Sequence, residues 1–314
     1  MRVAVAGAGA FGIKHLEGLS RIDGVEIAAI VSRREEQARE VAQRYGASSA
    51  STNLNDVLAD DSIDAVILCT PTHLHAQQAI ATMSAGKHVQ VEIPLADSWA
   101  DALAVADSAR QTGRTCMVGH TRRFNPSHQW LHQRFLLGSL TLQQMDVQTY
   151  FFRRTNTNAL GEARSWTDNL LWHHAAHTVD LFAYQSKSRV VEARVLAGPP
   201  HRDLHIPMDM SIQLKSESGS LCTLSLSFNN DGPLGTYFRY ICDNGTYVAR
   251  YDDLYSGRDE QIDVSDVAVS LDGIELQDRE FLAAIDERRE PNSSIQQVMG
   301  CYQVLGQLQA QLAD

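Results

Sequence analysis

Residues 172–180 read Trp-His-His-Ala-Ala-His-Thr-Val-Asp, which places three histidines within five positions. On a helix His173 and His177 are four apart and share a face, and Asp180 lies on the same side. His174 would point about 100° away, which fits a structural role better. Imidazole changes charge near neutral pH, so such a pair can exchange protons with a substrate. Three readings stay open: a metal site, a pair of acid–base groups, or a packed helix face with hydrogen-bonded histidines. The metal reading needs a further ligand from elsewhere in the chain, and no metal is expected.

A second chemical signal lies at the amino terminus. Gly7, Gly9 and Gly12 form G-x-G-x-x-G directly after the apolar run 2–6 and at the start of a helical pattern. In that setting the first glycine permits a tight turn. The second lets the backbone approach a pyrophosphate, and the third lets helix and strand pack closely. Ala10 and Phe11 belong to the same loop, and the phosphate is expected on the helix amino terminus. The next strand ends in Ser32-Arg33-Arg34, where an acidic residue would hold the ribose 2′-hydroxyl of NAD. A hydroxyl and two guanidinium groups suit a 2′-phosphate instead, so NADP is expected, with NAD possible.

These groups need elements to position them. Strands are expected at 2–6, 25–32, 64–71, 88–94 and 115–120. Helices are expected at about 11–20, 35–46, 75–86 and 99–113. Alternation of this kind builds a doubly wound parallel sheet covered on both faces, a Rossmann domain over residues 1–120. From about 141 to 250 strand-like segments follow one another, separated by turn signals such as Asn-Asn-Asp-Gly-Pro and Asp-Asn-Gly. Residues 121–314 are thus expected to form an α+β domain around an open, mostly antiparallel sheet. Helices interrupt it from about Asp168 to 184 and close it at 276–312, the last ones able to pack back on the first domain.

Bulk properties narrow the class. A chain of 314 residues with 44% hydrophobic content can bury the cores of about two domains. A net charge of -11 argues against nucleic acid or an anionic membrane as partner. No apolar run approaches the ~20 residues of a membrane span. The apolar start runs into the glycine loop without a cleavage site, so a cytoplasmic protein is expected. The five cysteines are scattered, with no zinc spacing and no disulfide framework.

The runs GAGAFGIKHLEGL, DAVILCTPTHLHAQQAI, AGKHVQVEIPLA, GHTRRFNP and EFLAAIDERREPNSS resemble the glucose–fructose oxidoreductase/inositol dehydrogenase family along the whole chain. The resemblance implies a nicotinamide-dependent dehydrogenase with its active site between two domains and a sheet face that makes a homodimer or other homo-oligomer. It also implies that Thr70, Pro71 and His75 line the nicotinamide side, and that Glu92 and Ile93 sit at the cofactor ribose or nicotinamide. Two departures stand out. The family usually has Glu-Lys-Pro where this chain has Glu92-Ile93-Pro94. It also tends to place Asp four residues before a catalytic histidine, which here corresponds to His173 before His177. Isoleucine cannot move a proton.

Longer runs, RSWTDNLLWHHAAHTVDLFAY and LSLSFNNDGPLGTYFRYICDNGTY among them, resemble a branch of the family that includes the unusual Ile93. That likeness implies oxidation of the cyclised hemiacetal of a ring-cleaved aromatic dicarboxylate to a lactone. A hemiacetal carbon carries both hydroxyl and hydrogen, so a base removes the proton as hydride departs, and no covalent thiol is needed. His177 is the expected base and His173 its neighbour or a carboxylate donor, with the reverse assignment open. A dicarboxylate asks for cationic partners. Arg122, Arg123, Asn125, Arg153, Arg164 and Trp166 are the expected substrate-binding set, with Arg154 and Arg239 as further candidates. Ser165-Trp166 could give a platform for a flat ring. The competing readings are a sugar or inositol dehydrogenase, and a non-catalytic NADP-binding sensor.

Overall fold

A computed structural model describes residues 1–157 and 167–313. The chain divides into two compact units. One comprises Met1–His120 and Ile274–Met299, the other Thr121–Gly273 and Gly300–Asp314.

The first unit is built on a six-stranded parallel sheet. Its strands are β1 (Arg2–Ala6), β2 (Glu26–Val31), β3 (Ser49–Ser51), β4 (Ala65–Leu68), β5 (His88–Val91) and β6 (Cys116–Val118), in the order β3-β2-β1-β4-β5-β6. Val3 to Ala6 and Ala65 to Leu68 are wholly buried, as apolar strands covered on both faces must be. The helices are α1 (Ala10–Leu19), α2 (Glu35–Tyr45), α3 (Leu54–Leu58), α4 (His75–Ser84) and α5 (Trp99–Thr112). Their ends follow local chemistry. Ser98 caps α5 by accepting the Asp101 N–H at 3.1 Å. Gly46 and Gly113 end α2 and α5 in the left-handed region. The short β3 and α3, absent from the sequence expectation, are too brief to show a hydrophobic period.

The carboxyl-terminal segment completes this unit. α8 (Gly273–Asp286) and the first residues of α9 (Ile295–Gln311) belong to it, so the expected division at residue 120 leaves out part of the first unit. The Ser293 hydroxyl donates to the Val118 carbonyl at 2.6 Å, and Ser294 bridges Met117, so the β6 edge is covered. The expected helix over 276–312 is two helices, because Pro291 interrupts the pattern.

The second unit opens with a 3₁₀ turn, Thr121–Arg123, and α6 (Pro126–Leu136). Its sheet has eight strands: β7 (Leu142–Tyr150), β8 (Val190–Ala197), β9 (Asp209–Ser216), β10 (Leu221–Ser227), β11 (Gly235–Cys242), β12 (Gly245–Arg250), β13 (Asp253–Ser256) and β14 (Gln261–Ile262). The order is β14-β13-β12-β11-β7-β10-β9-β8, antiparallel except for the β10–β7 pair. Strict alternation sends Met210, Ile212 and Leu214 inward and Ser211, Gln213 and Lys215 outward. The inner face joins Val147, Leu224, Phe238 and Tyr240 in the core with α7 (Ala176–Ser186), while the outer face mixes polar side chains with exposed apolar ones such as Leu196 and Leu221. α7 is preceded by a π-helical segment, Leu170–Ala175, where an uninterrupted α-helix was expected.

Candidate functional site

The glycine loop leads from β1 into α1. At Gly7, with φ +108°, a Cβ would stand 2.3 Å from the Cys69 carbonyl oxygen; at Gly12 it would stand 1.8 Å from the Gly7 oxygen. Both positions are closed to any side chain. Gly9 differs: a Cβ there meets no atom within 4 Å. Gly9, Ala10 and Phe11 are exposed, and α1 starts at Gly9 without a side-chain cap. Its first N–H groups thus face outward beside a bare backbone, which fits a pyrophosphate on a helix amino terminus.

At the end of β2 the Ser32 hydroxyl donates to Gln37 Oε1 at 2.8 Å, and Gln37 Nε2 donates to the Ala8 carbonyl at 3.0 Å. One glutamine therefore ties the ribose end of the site to the glycine loop. Arg33 and Arg34 are exposed, and no acidic side chain stands at this strand end.

The ends of β4 and β5 are stitched by His75. It is 1% exposed, with Nδ1 2.7 Å from the Pro94 carbonyl oxygen and Nε2 2.7 Å from that of Thr70. Burial lowers its pKa. Expected as a cofactor contact, His75 is enclosed and shapes the loops that carry Thr70, Pro71 and Pro94. Thr70, Pro71, Glu92 and Ile93 are each partly exposed.

In the second unit Asn169 caps the π segment: its side chain accepts the Trp172 N–H at 2.8 Å. Its own N–H donates to His173 Nδ1 at 3.2 Å. A nitrogen that accepts an N–H carries no proton, so this contact makes Nδ1 the acceptor and assigns any ring hydrogen to Nε2. The wider π turn, a feature common at functional sites, sets His173 and His174 one residue out of α-helical phase with His177. His177 is half-buried on the first turn of α7. His174 Nε2 lies 3.3 Å from Asp168, which also pairs with Arg153, and its ring packs on Phe151 and Phe228.

The arginines separate into distinct environments. Arg123, expected to meet substrate, grips Asp180 with Nε and Nη2 at 2.8 and 2.6 Å, both residues being buried. This ion pair joins the Thr121–Arg123 turn to α7. Arg153 pairs with Asp168 and lies over the Phe228 ring. Arg154 donates to the carbonyls of Arg153 and Phe228, and Arg239 is exposed on the sheet's outer face. Arg122 has no carboxylate within 4.0 Å among the described residues. It stacks over Tyr251 and Phe238 and reaches Asn125 Oδ1 at 3.4 Å. Asn125 in turn donates to Asp252 at 2.5 Å. Ser165, Arg164 and Trp166 lie outside the described residues. No group of three or more histidine, cysteine or carboxylate side chains among the described residues could hold a metal. Burial pushes up all five thiols, Cys116 and Cys242 to about 12, so none is set as a thiolate nucleophile.

Residues 1–120 match the family described as "Oxidoreductase family, NAD-binding Rossmann fold", and residues 126–268 match "Bacterial oxidoreductases, C-terminal". The sequence is 69% identical over 312 residues, 99% of each chain, to the 4-carboxy-2-hydroxymuconate-6-semialdehyde dehydrogenase of Sphingobium sp. (strain NBRC 103272 / SYK-6). The chain belongs to the glucose–fructose oxidoreductase/inositol dehydrogenase family. An inositol 2-dehydrogenase of Corynebacterium glutamicum is 26% identical over 237 residues, 73% of this chain and 67% of that one. Among solved structures, the aldose-aldose oxidoreductase of Caulobacter crescentus covers 100% of this chain and 97% of its own, with TM-score 0.87 and 16% identity. At that identity the likeness is one of fold. The chain is therefore an oxidoreductase whose first unit is an NAD-binding Rossmann fold.

Gln37 and Asn169 were not among the expected site residues. Asn169 had a signal: an asparagine just before an apolar helical run is a helix cap. Gln37 had none, because its partners Ser32 and Ala8 are brought to it by the sheet.

Proposed function

We propose that this protein oxidises the cyclic hemiacetal of 4-carboxy-2-hydroxymuconate-6-semialdehyde to the lactone 2-pyrone-4,6-dicarboxylate, with NADP as acceptor, in the breakdown of ring-cleaved protocatechuate. The observation that carries the reading is the 69% identity over 99% of both chains to a dehydrogenase named for that semialdehyde. The residues agree with it. His177 takes the hemiacetal hydroxyl proton, the carbon gives up its hydrogen as hydride, and the C–O bond becomes the lactone carbonyl. A dinucleotide whose pyrophosphate is held by the glycine loop would supply the two-electron acceptor in its nicotinamide ring. His173, with hydrogen on Nε2, donates to a substrate oxygen. Arg122, backed by Asn125, is the cation left to meet a carboxylate; Arg164 and Trp166 stay in the proposed substrate set. The absence of a thiolate suits a hemiacetal and disfavours oxidation of a free aldehyde through a thioester. Ser32, Arg33 and Arg34 favour the 2′-phosphate of NADP by charge.

The test is reduction of NADP, followed by absorbance, with freshly ring-cleaved protocatechuate, and with myo-inositol and glucose in parallel. Turnover on the first alone supports the reading, and turnover only on a polyol overturns it. We also propose a second copy of this chain as the partner of the open outer sheet face, with no nucleic acid or membrane involved. Sedimentation should return a dimer or larger assembly that Arg239→Glu weakens; a monomer at all concentrations refutes this.

A further inference from the structure

The first unit contains a buried line of charge that the reading above leaves unused. His15, on α1, is wholly buried and faces a carboxylate at each ring nitrogen. Nδ1 lies 2.7 and 3.0 Å from the two oxygens of Asp278 on α8, and Nε2 lies 3.0 Å from Glu92 Oε1. With both acids ionised, each only accepts, so both ring nitrogens carry hydrogen and His15 is the cation between them, although burial also raises the Asp278 carboxyl. Burial works against that charge, but Asp278 and the neighbouring Cys69 together outweigh it, and the histidine's pKa stands well above its ordinary value. Gln90, on β5, completes the far end by donating to Asp278 at 2.7 Å.

The packing around this line is close. A Cβ on Gly18 would meet Asp278 Oδ2 at 3.3 Å, and one on Gly119 would meet Glu92 Oε1 at 2.6 Å. Glu92 is thus fixed by one oxygen, which His15 holds and Gln277 approaches at 3.5 Å. Its other oxygen, Oε2, takes no hydrogen bond from the described residues, and the side chain keeps 12% exposure. The neighbouring position, usually lysine in the family, is Ile93, so the cation that the structure sets against Glu92 is His15.

Sheet order says which part of a ligand meets Oε2. The ribose-recognising Ser32 follows β2 and the glycine loop follows β1, while β4 and β5 come next in the sheet. A dinucleotide laid along the carboxyl ends of the strands, adenosine at β2 and pyrophosphate at β1, must extend its remaining half toward β4 and β5. We propose that Asp278 and His15 are positioning residues that hold Glu92 by Oε1 and present Oε2 to an O–H or N–H donor on the nicotinamide–ribose half of the cofactor. This rests on the cofactor reading above.

The experiment compares binding of NADPH with that of adenosine 2′,5′-bisphosphate, which lacks the nicotinamide half. His15→Gln and Glu92→Gln should each raise the NADPH Kd about tenfold, the scale of one hydrogen bond to a charged acceptor. The Kd for the bisphosphate should stay within about twofold, and the double variant should lose little more than either single one. Asp278→Asn, which keeps the shape, should shift NADPH alone in the same direction by less, and it decides the matter if His15→Gln does not fold. Equal weakening of both ligands, or none of either, overturns the proposal while leaving the cofactor reading intact. A wild-type protein that binds neither ligand overturns both.

Discussion

At the scale of single residues, the two helix histidines differ in what they can do. His173 has its Nδ1 lone pair committed to the Asn169 N–H, so its exposed chemistry is donation from Nε2. His177→Ala should therefore lower kcat by about 10²–10⁴-fold, the usual worth of general base catalysis, with KM little changed. His173→Gln, which keeps a donor near the Nε2 position, should retain most of kcat; steady-state kinetics on the two variants would expose a reversed assignment. Arg33 offers a second residue-scale prediction. It is exposed and its guanidinium can serve only a ligand or solvent, so Arg33→Ala should raise the Kd for NADP about tenfold and leave that for NAD within twofold. Equal effects in a titration with both cofactors would refute the 2′-phosphate reading. The sequence could offer Arg123 as a substrate ligand because only the folded chain brings it to Asp180. The cost of burying that aspartate alone is what keeps the pair closed.

At the scale of elements, the first βα turn shows how much a local pattern can carry. Its glycines, strand and helix all lie within the eighteen residues 2–19, and each glycine's purpose is now separable. Gly12→Ala drives a Cβ into the Gly7 carbonyl and should prevent the loop from closing, whereas Gly9→Ala meets open space. Gly9→Ala should hold stability within about 1 kcal/mol by urea denaturation while cofactor affinity falls at least tenfold. A large stability loss at Gly9 would show that it packs against protein after all. The π segment was harder to read. The spacing of His173 and His177 is compatible with an α-helix, and nothing in the local residue pattern distinguishes the wide turn that the structure places at Leu170–Ala175. Likewise His15 and Asp278 are separated by 263 positions, so no periodicity relates them. Fold class was legible because apolar period and turn residues are local. The partners of charged groups were not, because those are chosen by topology.

At the scale of the whole molecule, several histidines are folded into neutrality. Burial and the nearby Arg122 charge hold His128 well below its ordinary pKa, its Nδ1 lying 2.7 Å from the Tyr240 hydroxyl. Burial brings His132, stacked on Tyr184 at 3.8 Å, down to about 4. In the unfolded chain both titrate near 6.5, so below that pH the unfolded state binds more protons than the folded one. Stability should then fall as pH drops from about 6.5 to about 4. His15 has the opposite shift, and its contribution is fully present throughout this window, fading only as pH rises through its raised value. Urea midpoints at about pH 7.5 and about pH 5 should show the loss, and His132→Gln should reduce it; a flat profile would mean these histidines protonate in place.

The return of α8 to the first unit also has a consequence in time. Although that unit contains the amino terminus, Asp278 leaves the ribosome long after His15 and Glu92. At ~5–20 residues per second the interval is on the order of ten seconds. Throughout it, the nascent domain has its sheet strands and Glu92 but lacks the second carboxylate that faces its central histidine. Birth of a finished cofactor fold is therefore a late event in translation, and a ribosome that stalls before α8 leaves behind a domain whose six strands are all present and whose interior is not yet electrically whole.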